Sequence, residues 1–386
     1  MIAEVKTLFT ELEVFQVRNT KILSKDRVIS VDALRGFDMF WIMGGDIGFQ
    51  PLDKVFHNRL SGFIKIQFDH VDWFGFHFED LIMPVFVMLV GVSMVYSFRK
   101  RLAGSTSDKS IWLHTIKRVA VLWILGMMVQ GNLLTYDFDH IQFYTNTLQS
   151  IAAGYLIATI FILYMPVSWQ IFSTIGLMVL YWGILALIPV GGTTINAYSQ
   201  DRNVAFVVEK AVMGSHIGWG PYTWIVSSIN FGASVMVGVF AGYIMQSGAD
   251  KMKKLRNFSV YGVSLIILGL ILNIWHPIIK HIWTSSFVLF SGGLSLLLLA
   301  GFYLLIDVWN IRKGTKWMIV IGSNAIFAYV AYHLFSKNFS GMAEVFLNGL
   351  KPWIGNWFEF LTIFGATAAL YLILWYMYRN KTFIKI

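Results

Sequence analysis

Five ionisable residues stand in the stretch HVDWFGFHFEDLIMPVFV, directly in front of a long apolar run: His70, Asp72, His77, Glu79 and Asp80. Histidine and carboxylate side chains at short spacing are the usual components of general acid–base sites. A neighbouring carboxylate holds an imidazole in one tautomer. The stretch therefore predicts a base with an orienting carboxylate at the mouth of an apolar segment.

A further carboxylate, Asp46, lies 24 residues before His70 in the apolar sequence WIMGGDIGF, where glycines leave space beside it. A charge inside an apolar segment needs a partner or a water-filled cavity. We take His70, Asp46 and Asp80 as the candidate catalytic residues. The simpler interpretations are an interfacial position for Asp46 and stabilisation of a helix N-terminus by Glu79 and Asp80.

Other chemistries are disfavoured by the residue types and spacings. The chain has no cysteine, and the spacing of His70, His77, Glu79 and Asp80 matches no ligand pattern of a metal site. We therefore expect no metal. The G-x-S-x-G, P-loop and G-x-G-x-x-G motifs are absent from the sequence, which argues against serine hydrolase, ATPase and dinucleotide chemistry.

The elements that position these residues are predicted to be membrane helices. Of the 386 residues, 56% are hydrophobic and 13% are charged, and the mean hydropathy is +0.63. Apolar runs of about 20 residues recur along the chain, which is the length that crosses a lipid bilayer as a helix. We predict an all-α, polytopic integral membrane protein with about ten spans, at roughly 33–50, 79–98, 114–132, 147–165, 169–189, 222–246, 256–275, 284–306, 316–336 and 355–378.

The distribution of basic residues predicts the orientation. With the N-terminus in the cytoplasm, 22 of the 30 Lys and Arg residues lie in the tails and loops on the inner side. Such an asymmetry favours an N-in, C-in topology and accounts for the net charge of +9 without nucleic acid as a partner. Residues 1–27 are then a cytoplasmic tail, residues 28–386 form one transmembrane domain, and His70 faces the exterior.

Several sequence patterns resemble one enzyme family. The stretch SVDALRGFDMFWI, the pattern His70-x2-Trp73-x-Gly75-x4-Asp80-Leu81-x2-Pro84, and the later stretches TLQSIAAGYLIA and GSNAIFAYVAYH resemble the heparan-α-glucosaminide N-acetyltransferase family of transmembrane acyltransferases. The similarity runs from about residue 28 to the C-terminus in the same order. It is closest to the bacterial branch.

The resemblance implies an acetyltransferase that takes acetyl-CoA from the cytosolic side and acetylates an aminosugar on the other side. It implies a location in the bacterial inner membrane with the catalytic histidine, His70, toward the periplasm, and it suggests a homodimer. The histidine's partner is an asparagine in the lysosomal enzyme and falls on Asp46 here. His70 would act as the base or carry the acetyl group itself.

The ligand contacts are assigned to two groups of residues. For the CoA moiety we select Arg35, which lies in the family motif, together with Gln149, Arg118 and Lys316. For the sugar we select Asp72, Trp73, Trp283 and Ser285. The chain departs from the family pattern at Ser150, at GPYTW from Gly220 to Trp224, and at Pro277–Lys280, so its sugar site is expected to differ.

Two other functions stay open at this point. A permease for an aminosugar or its N-acetyl form would have the same composition, although no repeat relates the first and second five spans. A structural or sensory membrane protein is the third alternative, and it leaves the set His70, Asp46 and Asp80 unexplained.

Overall fold

The computed structural model describes residues 28–103, 108–191, 197–218 and 220–384, and every regular element in them is helical. The predicted tail 1–27 lies outside the described residues. The helices are Ile29–Phe40, Asp46–Phe49, Leu52–Phe56, Arg59–Gln67, Glu79–Ala103, Asp108–Val129, Thr147–Tyr164, Val167–Leu187, Val204–Met213, Ser228–Gln246, Lys251–Leu272, Ser285–Tyr303, Lys316–Ser323, Ala325–Leu347, Lys351–Ile354 and Trp357–Arg379. The predicted all-α fold is confirmed.

Within the described residues, eight helices are long and apolar enough to cross a membrane. A ninth span is formed if the pair Lys316–Gly322 and Ala325–Ile354, bent by 77°, counts as one. The polytopic character predicted from the sequence is therefore confirmed, with eight or nine candidate spans in place of about ten.

The predicted span 33–50 is helical but interrupted. The helix Ile29–Phe40 continues as a π-helical turn, Trp41–Gly45, in which Gly44 has φ 99°. Residues with a side chain rarely adopt such a backbone conformation, so a glycine permits the break. The chain then resumes in the short helix Asp46–Phe49, which places Asp46 immediately after the break.

The chain divides into two compact units. One, here called the His70 unit, consists of Val28–Phe86 and Gly301–Ile386. The other, here called the His276 unit, contains Val87–Ala300. The prediction of one transmembrane domain over 28–386 stays a prediction, and each unit is described by itself.

Within the His70 unit, the helices Ile29–Phe40 and Lys316–Ser323 cross with their backbones in contact. A Cβ atom on Gly36 would overlap the carbonyl oxygen of Met318, and one on Gly322 would overlap the carbonyl oxygen of Asp32. Small residues allow such close crossings between membrane helices. Arg35 and Lys316 lie next to this crossing in the sequence.

Within the His276 unit, glycines again allow close contacts between helices. A Cβ atom on Gly154 of Thr147–Tyr164 would lie 2.8 Å from the carbonyl oxygen of Phe231 in Ser228–Gln246. The second of these helices is almost wholly buried, so it forms the centre of the unit.

Candidate active site

The candidate site is built on the loop between the helix Arg59–Gln67 and the helix that begins at Glu79. Asn58 starts the first helix, because its side chain accepts a hydrogen bond from the Ser61 amide at 2.9 Å in a capping box. The Gln67 side chain then accepts from the Phe78 amide at 3.1 Å. The two ends of the loop are therefore joined.

Aromatic rings hold the same loop against the interrupted helix. The ring of Phe68 stacks on Trp41, with centroids 4.9 Å apart, and on Phe49, with centroids 5.3 Å apart. Phe78 meets Trp41 and Phe68 edge-on at 5.3 Å. Aromatic pairs in these geometries add stability beyond their buried area, so the segment between Phe68 and Phe78 is firmly positioned.

His70 and Asp80 form a direct pair in this loop. The Nδ1 atom of His70 lies 3.1 Å from the Oδ1 atom of Asp80. The Asp80 side chain is fully buried, whereas the His70 side chain is 47% exposed. The second carboxylate oxygen of Asp80 accepts from the backbone amides of His77 at 2.9 Å and Val71 at 3.4 Å.

This arrangement determines the useful tautomer of the imidazole. A carboxylate oxygen accepts hydrogen bonds, so Nδ1 of His70 donates and Nε2 carries the lone pair. A buried carboxylate that orients a partly exposed imidazole is the arrangement of a general base with its positioning group. The sequence predicts Asp46 or Asp80 beside the imidazole, and it is Asp80 that contacts Nδ1 of His70.

A second histidine is oriented beside the pair. The Nδ1 atom of His77 lies 2.9 Å from the carbonyl oxygen of Asp69, to which it donates. The Asp69 carboxylate accepts from the backbone amide of His70 at 2.9 Å. Asp69 therefore orients the His77 imidazole and holds the backbone of His70, a role that its position directly before His70 only partly indicates.

A cavity of about 450 Å³ opens above the pair and is lined by Ile66, Asp69, His70, Val71, Asp72, Trp73, Phe74 and His77. Two of the predicted sugar-binding residues, Asp72 and Trp73, are in this lining. Asp72 is exposed and Trp73 is buried. The cavity lies at the lower end of the range of small-molecule pockets, roughly 300–1,000 Å³.

Asp46, the third predicted catalytic residue, lies in the same unit at the start of the short helix Asp46–Phe49. It is near enough to the Tyr332 hydroxyl for its charge to act on that group. A Cβ atom on Gly44 would lie 2.9 Å from the same hydroxyl oxygen. Tyr332 was not predicted from the sequence, since nothing in its local sequence links it to a segment almost 300 residues earlier.

The predicted CoA ligands Arg35 and Lys316 are in the His70 unit. An Nη1 atom of Arg35 lies 3.3 Å from Oδ1 of Asp32, one helical turn earlier. Lys316 is exposed at the first position of its helix. Both cations belong to the helix pair that crosses at Gly36, so the tight crossing brings these two predicted ligands to the same part of the unit.

The other two predicted CoA ligands, Gln149 and Arg118, are in the His276 unit. Gln149 is fully buried; its side chain accepts from the Thr145 amide at 2.8 Å and donates to the Phe143 carbonyl at 2.7 Å. The Arg118 guanidinium lies 4.6 Å from the centre of the Tyr155 ring. Gln149 thus shapes the entry to its own helix, and its contact with CoA stays a prediction.

The predicted sugar ligands Trp283 and Ser285 are buried in a polar network of the His276 unit. The Trp283 indole donates to the Ser234 hydroxyl at 2.9 Å, and the Ser285 hydroxyl donates to the Met178 carbonyl at 2.7 Å. Both residues are no more than 2% exposed. Within this unit they link neighbouring segments, and their contact with a sugar stays a prediction.

One member of that network is His276, which was not predicted from the sequence. Its Nε2 atom accepts from the Ser285 amide at 2.9 Å, and its Nδ1 atom lies 2.9 Å from the Tyr198 hydroxyl. The side chain is fully buried. Burial lowers the pKa of His276 from 6.5 to about 3, so the ring is neutral at physiological pH.

No group of three or more His, Asp or Glu side chains within residues 28–103, 108–191, 197–218 and 220–384 is arranged to hold a metal ion.

Comparison with known proteins identifies the family that the chain resembles. Residues 27–201 match the family described as heparan-alpha-glucosaminide N-acetyltransferase, catalytic. This region contains His70, Asp46, Asp80, Arg118 and Gln149. The heparan-alpha-glucosaminide N-acetyltransferase of Mus musculus is 22% identical over 376 residues, which cover 83% of this chain and 56% of the mouse protein.

The chain thus spans little more than half the length of the curated relative that it matches. The resemblance to the heparan-α-glucosaminide N-acetyltransferase family, predicted from the sequence patterns, is confirmed by both findings.

Proposed function

We propose that this protein transfers an acetyl group from acetyl-CoA to the amine of a glucosamine-type sugar, with His70 as the base or the acetyl carrier. The acetyl donor would come from the cytosol and the sugar from the other side of a bacterial inner membrane. His70 would face the periplasm. The activity of the mouse relative, as its name states it, supports this reaction class.

One observation supports the proposal: the half-exposed imidazole of His70, held by the buried Asp80 carboxylate, lines the 450 Å³ cavity. An oriented base next to a space large enough for a small acceptor is the minimum that an acetyl transfer needs. The amine and the thioester are both reactive, so catalysis depends mainly on positioning and proton transfer.

In direct transfer, the sugar nitrogen attacks the thioester carbonyl carbon while Nε2 of His70 takes a proton from that nitrogen. The tetrahedral intermediate then collapses, the carbon–sulfur bond breaks, and the imidazolium returns the proton to the departing CoA thiolate. Proton transfer by a positioned side chain contributes about 10²–10⁴-fold to such reactions. The Asp80 carboxylate stabilises the imidazolium that forms in between.

In the two-step route, Nε2 of His70 attacks the thioester first. The carbon–sulfur bond breaks, the CoA thiolate leaves, and an acetyl-imidazolium remains, whose Nδ1–H still donates to Asp80. The sugar amine then attacks this acetyl group and neutral His70 departs. The nitrogen releases one proton, which balances the proton that the CoA thiolate takes up. Covalent catalysis of this kind replaces one difficult step by two easier ones, and the same His70–Asp80 pair serves both routes.

The CoA moiety is assigned to the cations near the predicted inner ends of the helices. Arg35 and Lys316 would contact its phosphates through charge-assisted hydrogen bonds, and Arg118 and Gln149 are the further candidates. Asp46 would act as a second carboxylate near the reacting groups. The sugar would lie against Asp72 and Trp73, with Trp283 and Ser285 as the remaining candidates.

The proposal is tested by incubating the purified protein in liposomes with radiolabelled acetyl-CoA and a panel of acceptors. The panel contains glucosamine, glucosamine 6-phosphate and short heparan fragments. We expect labelled N-acetylated product from at least one acceptor. Uptake of an intact sugar into the liposomes without any acetylation would overturn the proposal and favour a permease.

A further inference from the structure

The cavity that His70 lines has acidic side chains but no lysine or arginine. Two of its eight lining residues, Asp69 and Asp72, carry carboxylates, and none is Lys or Arg. The carboxylate of Asp80 lies 3.1 Å from the His70 imidazole. A ligand that enters this cavity therefore meets carboxylates and two imidazoles, with no strong cation in the lining.

The lysine nearest to the cavity in the helix Arg59–Gln67 is paired with a carboxylate outside the cavity lining. Lys65 immediately precedes the lining residue Ile66, and its ammonium lies 3.8 Å from the Asp53 carboxylate. The two carboxylates in the cavity lining differ in their hydrogen bonding. Asp69 accepts from the His70 amide, whereas Asp72 has no hydrogen-bond or ion-pair partner within the described part of the chain. Asp72 is thus available to a ligand.

From this charge pattern, and resting on the proposed acetyl transfer, we infer that the site selects amino sugars that carry no phosphate, sulfate or carboxylate. Asp72 is the residue that determines this selectivity. It attracts the ammonium form of the acceptor to the cavity, where the ammonium loses one proton to water before the neutral amine attacks, and it repels an anionic substituent on the same sugar.

The size of the effect follows from Coulomb's law. Two like charges about 6 Å apart weaken binding by about three-fold in bulk water and by about a hundredfold at an effective dielectric constant of about 20. The cavity is open, and salt reduces the interaction further. We therefore expect discrimination of about tenfold for each anionic group placed near Asp72.

The lining also limits the acceptor's size and supplies an apolar face. A 450 Å³ cavity accommodates a single sugar ring. Phe74 lines it and is 60% exposed, so its ring is available to pack against the carbon–hydrogen face of a pyranose. The expected acceptor is thus a neutral or cationic aminosugar ring presented at this cavity.

The test compares glucosamine with glucosamine 6-phosphate in the full-length protein, by kcat/KM for acetyl transfer and by calorimetric binding. The wild type should favour glucosamine by about tenfold or more, and the preference should shrink at high salt. Asp72→Asn should reduce the preference at least threefold, mainly through KM. Asp139→Asn changes another exposed aspartate, outside the cavity lining, and should leave the preference unchanged.

The two measurements separate this inference from the proposed function. If neither sugar is acetylated but calorimetry shows tighter binding of glucosamine, and Asp72→Asn weakens that preference, the acetyltransferase proposal fails and the charge selectivity stands. Equal binding of the two sugars, or a preference for the phosphorylated one, overturns the selectivity even if acetyl transfer is observed. An unchanged preference in Asp72→Asn removes Asp72 as its determinant.

Discussion

The Nδ1 atom of His70 and the Oδ1 atom of Asp80 lie 3.1 Å apart, and they join a half-exposed imidazole to a fully buried carboxylate. The other oxygen of Asp80 is occupied by the backbone amides of His77 and Val71. Each oxygen of the carboxylate therefore has its own task. One orients the ring, and the other holds the loop that carries it.

Asp80→Asn should reduce kcat strongly while the protein stays folded. An amide offers one oxygen where the carboxylate offers two, so the NH₂ group must face either the backbone amides or His70. In the second case it donates to Nδ1 and moves the ring proton to Nε2, which can then no longer accept a proton. Loss of such an orienting partner costs about 10–100-fold, measured as kcat for acetyl transfer.

The matched control for that variant is Asp250→Asn. Asp250 also stands at a helix start, where its side chain accepts from the Lys253 amide at 3.0 Å, and asparagine caps helices equally well. The kcat of Asp250→Asn should equal that of the wild type. A kcat for Asp80→Asn within twofold of the wild type would contradict the assigned role of Asp80.

Stability should fall at acidic pH through His276. Burial lowers the pKa of this histidine to about 3 in the folded protein, against 6.5 for an exposed histidine. Between these values the unfolded chain binds the proton and the folded one does not. The contribution of neutral His276 is therefore complete above about pH 6.5 and is lost as the pH decreases toward 3, by up to ~1.4 kcal/mol for each pH unit.

The measurement is the thermal unfolding temperature in detergent between pH 7.5 and about pH 4.5, inside the window in which this histidine titrates. His276→Gln keeps an acceptor for the Ser285 amide but does not titrate, so its pH dependence should be shallower. His140→Gln, at an exposed position, is the control and should follow the wild type. Parallel curves for His276→Gln and the wild type would contradict the assignment.

Gly36→Ala should destabilise the His70 unit. A Cβ atom there overlaps the carbonyl oxygen of Met318, so the helices Ile29–Phe40 and Lys316–Ser323 must separate. Overpacking of this kind costs about 1–3 kcal/mol, which should lower the unfolding temperature. If Arg35 and Lys316 both contact CoA, the KM for acetyl-CoA should also rise.

Gly176→Ala provides the comparison for the glycine variant. A Cβ atom at Gly176 meets nothing within 4 Å, and alanine in a helix is favoured over glycine by about 0.5–1 kcal/mol. Its unfolding temperature should be equal to or above that of the wild type. An equally stable Gly36→Ala would show that the two helices do not cross as closely as described.

The predicted topology can be tested without background labelling, because the chain has no cysteine. Lys109→Cys is predicted to lie on the cytoplasmic side and Gln200→Cys on the external side, and both positions are exposed. An impermeant thiol reagent should label Gln200→Cys in intact cells and Lys109→Cys only after permeabilisation. The reverse pattern would contradict the N-in, C-in topology.

Much of the helical framework could be predicted from apolar runs. The expected spans 147–165 and 355–378 correspond to the helices Thr147–Tyr164 and Trp357–Arg379. The interruptions were less visible in the sequence. The π-helical turn at Gly44 and the bend between Gly322 and Ala325 interrupt segments that remain apolar, so hydropathy alone does not reveal them.

The sequence predicted those parts of the candidate site whose residues lie close together along the chain. His70 lies on the loop and Asp80 ten residues later in the first turn of the following helix, and their pairing was among the predicted arrangements. The proximity of Asp46 to Tyr332, by contrast, depends on packing between distant segments. Trp283 and Ser285 have residue types that suit a sugar, but their polar atoms are engaged in the buried network around His276, which no local pattern indicates.

The most direct test of the central claim is the turnover number for acetyl transfer by His70→Ala, measured beside the wild type and His140→Ala. His140 is a matched control, since it also pairs with an aspartate, Asp137, at 2.8 Å, and it lies outside the cavity lining. We expect His70→Ala to lose at least about 10²-fold in kcat with an unchanged unfolding temperature, and His140→Ala to retain full activity. Near-wild-type turnover by folded His70→Ala would contradict the assignment of His70 as the base or acetyl carrier.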